Sequence, residues 1–152
     1  MAAPRTLYLI ALVLPLLTCA VRAEDAGKGI VLANDAFEKA WSARDIATIE
    51  RLWAHEPYVF VVHPSSKVPE VGWENVRTSF ETQMSRYTDF TVSMMVTGVH
   101  VNGDTAFVVG VESFTGKRLN GDSVEGKAIG TRGFERKGDQ WLMVFHQATP
   151  VR

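Results

Sequence analysis

Cysteine is nearly absent from this sequence, since Cys19 is the only one among 152 residues. It lies in an apolar run over residues 7–20 that follows the short basic start MAAPR. This combination is typical of a secretory signal, and a run of about fourteen residues is shorter than a membrane-spanning helix needs. Cleavage after Ala23 leaves residues 24–152 with no thiol, no disulfide and no cysteine-ligated metal.

The absence of disulfides also bears on the compartment. Export without them favours a bacterial periplasm over an animal extracellular fluid, where small domains usually carry several. A lipoprotein signal that uses Cys19 is the alternative, but Leu17 and Thr18 match poorly to the small residues that such processing prefers. We therefore predict a signal peptide over residues 1–23 and a periplasmic protein with no membrane segment after cleavage.

The sequence has no excess or run of one charge. Once Arg5 and Arg22 leave with the signal, fourteen basic residues face seventeen acidic ones, a net charge of about −3. Neither nucleic acid nor an anionic membrane is an expected partner of such a chain. There is no phosphate loop, dinucleotide fingerprint or Gly-x-Ser-x-Gly elbow, so we predict no cofactor. His55, Glu56 and His63 lack the spacing of a helical zinc motif, and we predict no metal.

The residues present show the pattern of one domain over residues 24–152. Apolar residues at helical spacing predict a first helix over residues 26–43, a second helix capped by Asp45, and a third helix that begins at Trp73. Residues 58–63 are dense in β-branched and aromatic side chains and predict a strand.

Four further strands are predicted over residues 90–101, 105–115, 124–136 and 140–149. Short turns separate them, and the first two contain an Asn-Gly pair, which tolerates positive φ at both central positions of a tight hairpin. Helix, helix, strand, helix and four antiparallel strands form an α+β order, in which a curved sheet buries one face against three helices. A sheet bent in this way can leave a hollow.

Three parts of the chain carry a family resemblance. They are Asp45 with the helix after it, the segment HPSS at a strand end followed by Gly72 and a helix, and the closing segment GDQWLMVFHQATPV. Their order and spacing resemble the SnoaL-like group of the nuclear transport factor 2-like superfamily, over essentially all of residues 24–152. The resemblance implies a cone with a pocket between three helices and a strongly bent sheet. This fold hosts isomerases, dehydratases, cyclases, transport adaptors and dimerisation modules.

His63 is the main catalytic candidate. In the ketosteroid isomerases of this superfamily an Asp-Pro pair ends the first strand and its aspartate shuttles protons, and His63-Pro64 falls at that place. Imidazole both takes and gives a proton near neutral pH, so the resemblance implies a base at the cavity wall, although the residue type has changed. In the alternative interpretation His63 ends the strand and caps the loop after it.

The last strand leaves two interpretations open. Strict alternation puts His146 on one face and Gln147 and Thr149 on the other. If the first face lines the hollow, His146 is a second catalytic candidate. If the other does, Gln147 and Thr149 are the polar groups of the pocket and His146 lies in a dimer contact or on the back of the sheet. Because both faces are largely apolar, the strand also predicts a homodimer.

Several aromatic residues predict the wall of a small-molecule pocket, with plain core packing as the alternative: Trp41, Trp53, Tyr58, Trp73 and Phe80. Arg132 and Glu112 lie inside predicted strands, where they either pair across the sheet or face water. Asp35 lies off the apolar stripe of the first helix and is expected to be solvated.

Two functions follow from these observations. The first is an exported domain that binds a small apolar or aromatic molecule and, if it is an enzyme, transfers protons without a cofactor in an isomerisation, dehydration or ring closure. His63 is then the base, and His146, Gln147 or Tyr58 donates hydrogen bonds to developing negative charge. The second is a non-catalytic dimerisation or adaptor domain whose exposed sheet face meets itself or a partner.

Overall fold

A computed structural model of the protein describes the backbone of residues 14–151 and the side chains of residues 27–151. The predicted signal peptide and its cleavage after Ala23 lie outside the described side chains and stay predictions. None of the described helices is long and apolar enough to cross a membrane.

Three helices pack on one face of the sheet: α1 (Leu14–Ser42), α2 (Ile46–Leu52) and α3 (Trp73–Met84). The predicted cap of α2 is confirmed, because Oδ1 of Asp45 accepts a hydrogen bond from the backbone N–H of Thr48 at 3.0 Å. In α3 the apolar residues at helical spacing, from Trp73 to Met84, are buried. Each helix therefore covers the sheet with the stripe that its sequence predicts.

The strands form one six-stranded sheet in the order β2-β1-β6-β5-β4-β3. Their bounds are β1 (Phe60–Val62), β2 (Glu70–Val71), β3 (Tyr87–Asn102), β4 (Thr105–Arg118), β5 (Ser123–Lys137) and β6 (Gln140–Pro150). β1 runs parallel to β6, and all other neighbours are antiparallel. The curved, unclosed sheet against three helices confirms the predicted α+β class. The two-residue β2 lies between the predicted strand over residues 58–63 and α3, where no strand was predicted.

The tight turns differ from the expected Asn-Gly geometry. Between β3 and β4 the turn residues are Gly103 and Asp104, because Asn102 still pairs with Thr105. Gly103 has φ of 61°, whereas no asparagine has positive φ. The prediction of two central residues with positive φ is therefore wrong: glycine, which has no Cβ, takes the first central position alone.

An aromatic cluster fills the space between the helices and the sheet. Phe37 of α1 contacts Trp41, Trp53 and Phe80, with ring centroids 5.4, 6.4 and 5.6 Å away. Phe37, Trp53 and Phe80 are each exposed by 1% or less, so this end of the cone is filled with side chains. Such tilted and edge-on packing fixes the position of α1 over the sheet.

A bulge in β6 changes which of its residues face the helices. Gly133 pairs with Phe145 and the next residue, Phe134, pairs with Met143, so Val144 is an extra residue on β6. Met143 and His146 are consequently both buried although three positions separate them. Strict alternation was therefore wrong for this strand, which turns His146 toward the helices.

The outer face of the sheet remains apolar and open. Thr149 pairs with Ile129, which pairs with Val111, which pairs with Met95, and Gln147 lies on the same face. Met95 is 66% exposed and Ile129 55%. Gln147 and Thr149 thus face away from the helices, and their predicted place as polar groups of an internal pocket is corrected.

Candidate functional site

A pocket of about 570 Å³ opens beside the aromatic cluster. Its wall is mainly apolar, with Trp41, Met84, Tyr87, Phe90, Val92, Phe114 and Val124. Two polar lining residues, His63 and Glu112, are only 3% and 2% exposed and so mark its closed end. Arg118, Ser123 and Glu125 are exposed and form its rim. An apolar wall with a few convergent polar groups is the usual form of a small-molecule site.

His63 is held at both its backbone and its ring. Its backbone N–H donates to Ser66 Oγ at 3.0 Å, which ties the loop after β1. Its ring Nε2 lies 3.1 Å from Ser79 Oγ on α3, and its ring packs on Trp41 and Phe80. His63 therefore both caps the loop and lines the pocket, which joins the two interpretations of its sequence position.

The environment of His63 favours the neutral imidazole. Burial lowers the pKa of His63 to about 3, and the nearby His146 acts in the same direction. The two rings are 6.1 Å apart between centroids. At neutral pH His63 therefore carries no charge, and its ring is a weak base unless a negative charge forms beside it.

His146 belongs to a buried polar network with Asn34, Glu38, Glu112 and Arg132. Nε2 of His146 lies 2.9 Å from Oε1 of Glu112, and Nη2 of Arg132 donates to the same oxygen at 2.7 Å. The other terminal nitrogen of Arg132, Nη1, donates to Asn34 at 2.7 Å and to Glu38 at 2.8 Å. The guanidinium is fully buried, so its charge is balanced inside the protein.

Glu112 is ionised within this network. Burial alone would raise the pKa of Glu112, but the charge and hydrogen bond of His146, together with those of Arg132, outweigh it and lower the pKa to about 2. An ionised carboxylate only accepts hydrogen bonds, so we assign the hydrogen between the two residues to Nε2 of His146.

Glycines in the sheet make room for this arrangement. Gly110 and Gly130 pair with each other between Glu112 on one side and Arg132 on the other. A Cβ at Gly130 would lie 2.7 Å from both Cδ and Oε1 of Glu112, far inside contact distance. The missing side chain at Gly130 therefore lets the carboxylate lie over the sheet and reach His146.

Only some of the aromatic residues that were predicted for the pocket wall line the pocket. Trp41 lines it, whereas Trp53 and Phe80 pack in the core and are not among its lining residues. Trp73 stacks on His55, with centroids 4.4 Å apart. Tyr58 is 48% exposed and donates to Glu135 at 2.7 Å, a bond that raises its pKa to about 12. Its predicted role as a donor inside the pocket is corrected, because it precedes β1 on the surface.

The sequence did not predict two members of the network, Asn34 and Glu38, or most of the residues that form the pocket wall. Asn34 is fully buried between Ile30 and Phe37 on the apolar stripe of α1. That position is itself the missed signal, since a polar residue on a buried stripe must have a partner. The sequence left open whether Arg132 and Glu112 pair across the sheet or face water, and in the structure they pair. Among residues 27–151 no group of side chains has the composition of a metal site.

The fold and pocket define a class of protein, a cone-shaped α+β domain with a polar group of residues at the closed end of an apolar pocket. The chain belongs to the SnoaL-like domain family, whose model matches residues 30–151. No curated protein sequence matches the chain.

Solved structures show the same fold. A proposed dehydratase of the nuclear transport factor 2-like family from Streptomyces avermitilis is 28% identical, with a TM-score of 0.72 over 84% of this chain and 99% of that one. A ketosteroid isomerase-like protein from Erwinia carotovora atroseptica is 14% identical, with a TM-score of 0.73 over 83% and 96%. A proposed calcium/calmodulin-dependent protein kinase II association domain from Thiobacillus denitrificans is 22% identical, with a TM-score of 0.68 over 79% and 93%.

Proposed function

We propose that the protein binds a small, mainly apolar ring molecule in this pocket and transfers protons on it without a cofactor, with His63 as the base. The observation that carries the proposal is the neutral, buried imidazole of His63 beside the ionised Glu112 at the closed end of an aromatic-walled pocket. The likeness to a proposed dehydratase supports the same class of chemistry. The apolar start of the chain supports action in a periplasm after signal cleavage.

In this proposal the three buried polar residues His63, Glu112 and His146 have different roles. We assign the tautomer of His63 in which Nε2–H donates to Ser79 Oγ, so that Nδ1 carries the lone pair. Nδ1 is buried and has no hydrogen-bond partner among the described residues, so in this proposal the ring turns toward the pocket before Nδ1 takes a proton from the ligand. Loss of that proton makes the ligand anionic, and an anion beside His63 favours the protonated ring. His146, which lies 2.9 Å from Glu112, packs on the same Trp41 ring at 6.1 Å from His63 between ring centroids, but it is not among the residues that line the pocket.

Ligand binding is tested by native mass spectrometry of protein purified gently from its own host. We expect a small molecule to co-purify with the wild-type protein and to be lost in Val124→Trp, because Val124 lines the pocket and a larger side chain there obstructs it. Leu32→Trp is the matched control, since Leu32 is 67% exposed on α1 and lies outside the pocket lining. Equal retention by both variants would place the ligand elsewhere.

Proton transfer is tested by incubating the protein in D₂O with a small-molecule extract of the same organism. We expect protein-dependent incorporation of deuterium into one compound and a loss of at least about a hundredfold in His63→Gln, the scale of a general base. Glutamine keeps a hydrogen-bonding group near Ser79 but is no base. Unchanged incorporation in His63→Gln would remove His63 from the mechanism.

The apolar outer face of the sheet favours a second candidate function, homodimerisation with or without an adaptor role. Exposed Met95, Phe107 and Ile129 share this face with the stacked pair Phe60 and Phe145. Such a patch on a soluble domain usually marks an interface. The likeness to a proposed kinase association domain supports assembly as a function of this fold.

Dimerisation is tested by analytical ultracentrifugation at micromolar concentration. We expect a wild-type dimer and an Ile129→Lys monomer, because a charge in the middle of an apolar contact has no partner. Leu119→Lys, at a more exposed position in the β4–β5 turn, should remain dimeric. A wild-type monomer would rule out the assembly through this face.

A further inference from the structure

Glu112 uses only one of its two oxygens inside the protein. Its Oε1 accepts hydrogen bonds from Arg132 Nη2 and from His146 Nε2. Its Oε2 makes no hydrogen bond to any residue within the described part of the chain, while Glu112 itself lines the pocket. An ionised carboxylate has lone pairs on both oxygens, so the closed end of the pocket presents an acceptor that the protein leaves unfilled.

The buried Arg132 neutralises Glu112 through Oε1, but no positive group of the lining binds the free Oε2. Arg132 is fully buried and both of its terminal nitrogens are bound within the network. His63, the other buried polar residue of the lining, is neutral at pH 7. Arg118 is the only arginine or lysine that lines the pocket, and it lies at the exposed rim. A ligand that enters with an anionic group first would therefore bring like charges together in a site largely shielded from water.

We infer that Glu112 determines ligand specificity and that the ligand is a mainly apolar ring molecule whose leading group donates a hydrogen bond to Glu112 Oε2. That group is a hydroxyl or an amine, and it carries no negative charge. This inference rests on the proposed function, because it concerns the same pocket. Trp41, Phe90 and Phe114 supply the aromatic surface against which the ring packs.

The test uses three probes of one ring system: 2-naphthol, which donates a hydrogen bond; 2-methoxynaphthalene, which is neutral and only accepts; and 2-naphthoate, an anion. Binding to the wild-type protein is measured by isothermal titration calorimetry at pH 7. We expect 2-naphthol to bind about tenfold more tightly than 2-naphthoate, with 2-methoxynaphthalene between them, as one hydrogen bond to a charged acceptor implies.

Two variants test whether Glu112 is responsible for this order of affinities. Glu112→Gln removes the negative charge and is expected to bring 2-naphthol and 2-naphthoate within about threefold of each other. Glu74→Gln makes the same charge change at an exposed site on α3 and should preserve the wild-type order. Thermal melts verify that the variants are folded, and the wild-type order alone decides the proposal if Glu112→Gln does not fold.

The outcomes distinguish a failure of the proposed specificity from a failure of the pocket as a ligand site. Binding of 2-naphthoate as tight as that of 2-naphthol in the wild-type protein would overturn the specificity and leave the pocket as a ligand site. An unchanged order in a folded Glu112→Gln would overturn the role of Glu112. Absence of binding for all three probes would overturn the specificity together with the proposed function.

Discussion

Replacement of Arg132 by methionine is expected to lower the free energy of unfolding by about 3–5 kcal/mol, the range for breaking a buried ion pair from one side. The guanidinium holds Glu112 at 2.7 Å and Glu38 at 2.8 Å, and its side chain is fully buried. Methionine matches its length but leaves Glu38 without its counter-charge and Glu112 with His146 as its remaining partner, and Asn34 loses a hydrogen-bond donor as well. Urea unfolding followed by circular dichroism measures the change.

Arg136→Met is the matched control on the same strand. Arg136 pairs with Asp104, whose side chain is 71% exposed, so the carboxylate that is left behind is solvated. We expect a loss within about 1 kcal/mol there. If Arg132→Met does not fold, Arg132→Lys takes its place, because lysine keeps the charge but not the forked donor. Equal losses at both positions would show that the network contributes no more than a surface pair.

The stability of the protein is expected to fall as the pH is lowered from about 6.5, by up to about 1.4 kcal/mol per pH unit from His63 alone. Burial, and then the charge of His146, lowers the pKa of His63 to about 3 in the folded protein. The unfolded chain binds a proton at this histidine near pH 6.5, whereas the folded chain does not until about pH 3. The contribution of His63 is thus complete above pH 6.5 and is lost as the pH falls toward 3.

The measurement is the free energy of unfolding between pH 6.5 and pH 4.5. Glu112 affects stability at lower pH, because its pKa of about 2 moves its effect below 4.5. We expect His63→Gln to flatten the pH dependence in this window. His55→Gln, at an exposed histidine stacked on Trp73, should keep the wild-type slope. A wild-type slope in His63→Gln would show that His63 is already charged in the folded protein.

Local patterns were sufficient to predict most of the fold. The stripe of α3 and the cap at Asp45 depend on residues within a few positions of each other, so propensity and periodicity identify them. The four long strands were predicted for the same reason. The pairing of residues that are distant in sequence leaves a weaker pattern in the sequence. β2 has only two residues and therefore has no periodicity to detect.

The candidate site was harder to predict because it depends on long-range pairing. His63 follows from its place after a strand, but Arg132 meets Asn34 across 98 positions of sequence. Tyr58 was assigned to the pocket as one of several aromatic residues and lay in the predicted strand over residues 58–63, yet β1 begins only at Phe60 and leaves it on the surface. Gln147 and Thr149 were one of two options, and the bulge at Val144 decided against them.

The extra residue at Val144 also makes the length of β6 a functional variable. A substitution in this strand changes one side chain, whereas a change in the number of residues between Met143 and His146 changes which faces they share. Deletion of Val144 would leave the two residues two positions apart, so strict alternation alone would keep both on the helix side. Insertion of one further residue between them, with the bulge kept and the pairing following Met143, would instead exchange the histidine with its neighbours, and the buried carboxylate would lose its imidazole. The number of residues between Met143 and His146, and not only their identity, therefore keeps this histidine inside the protein.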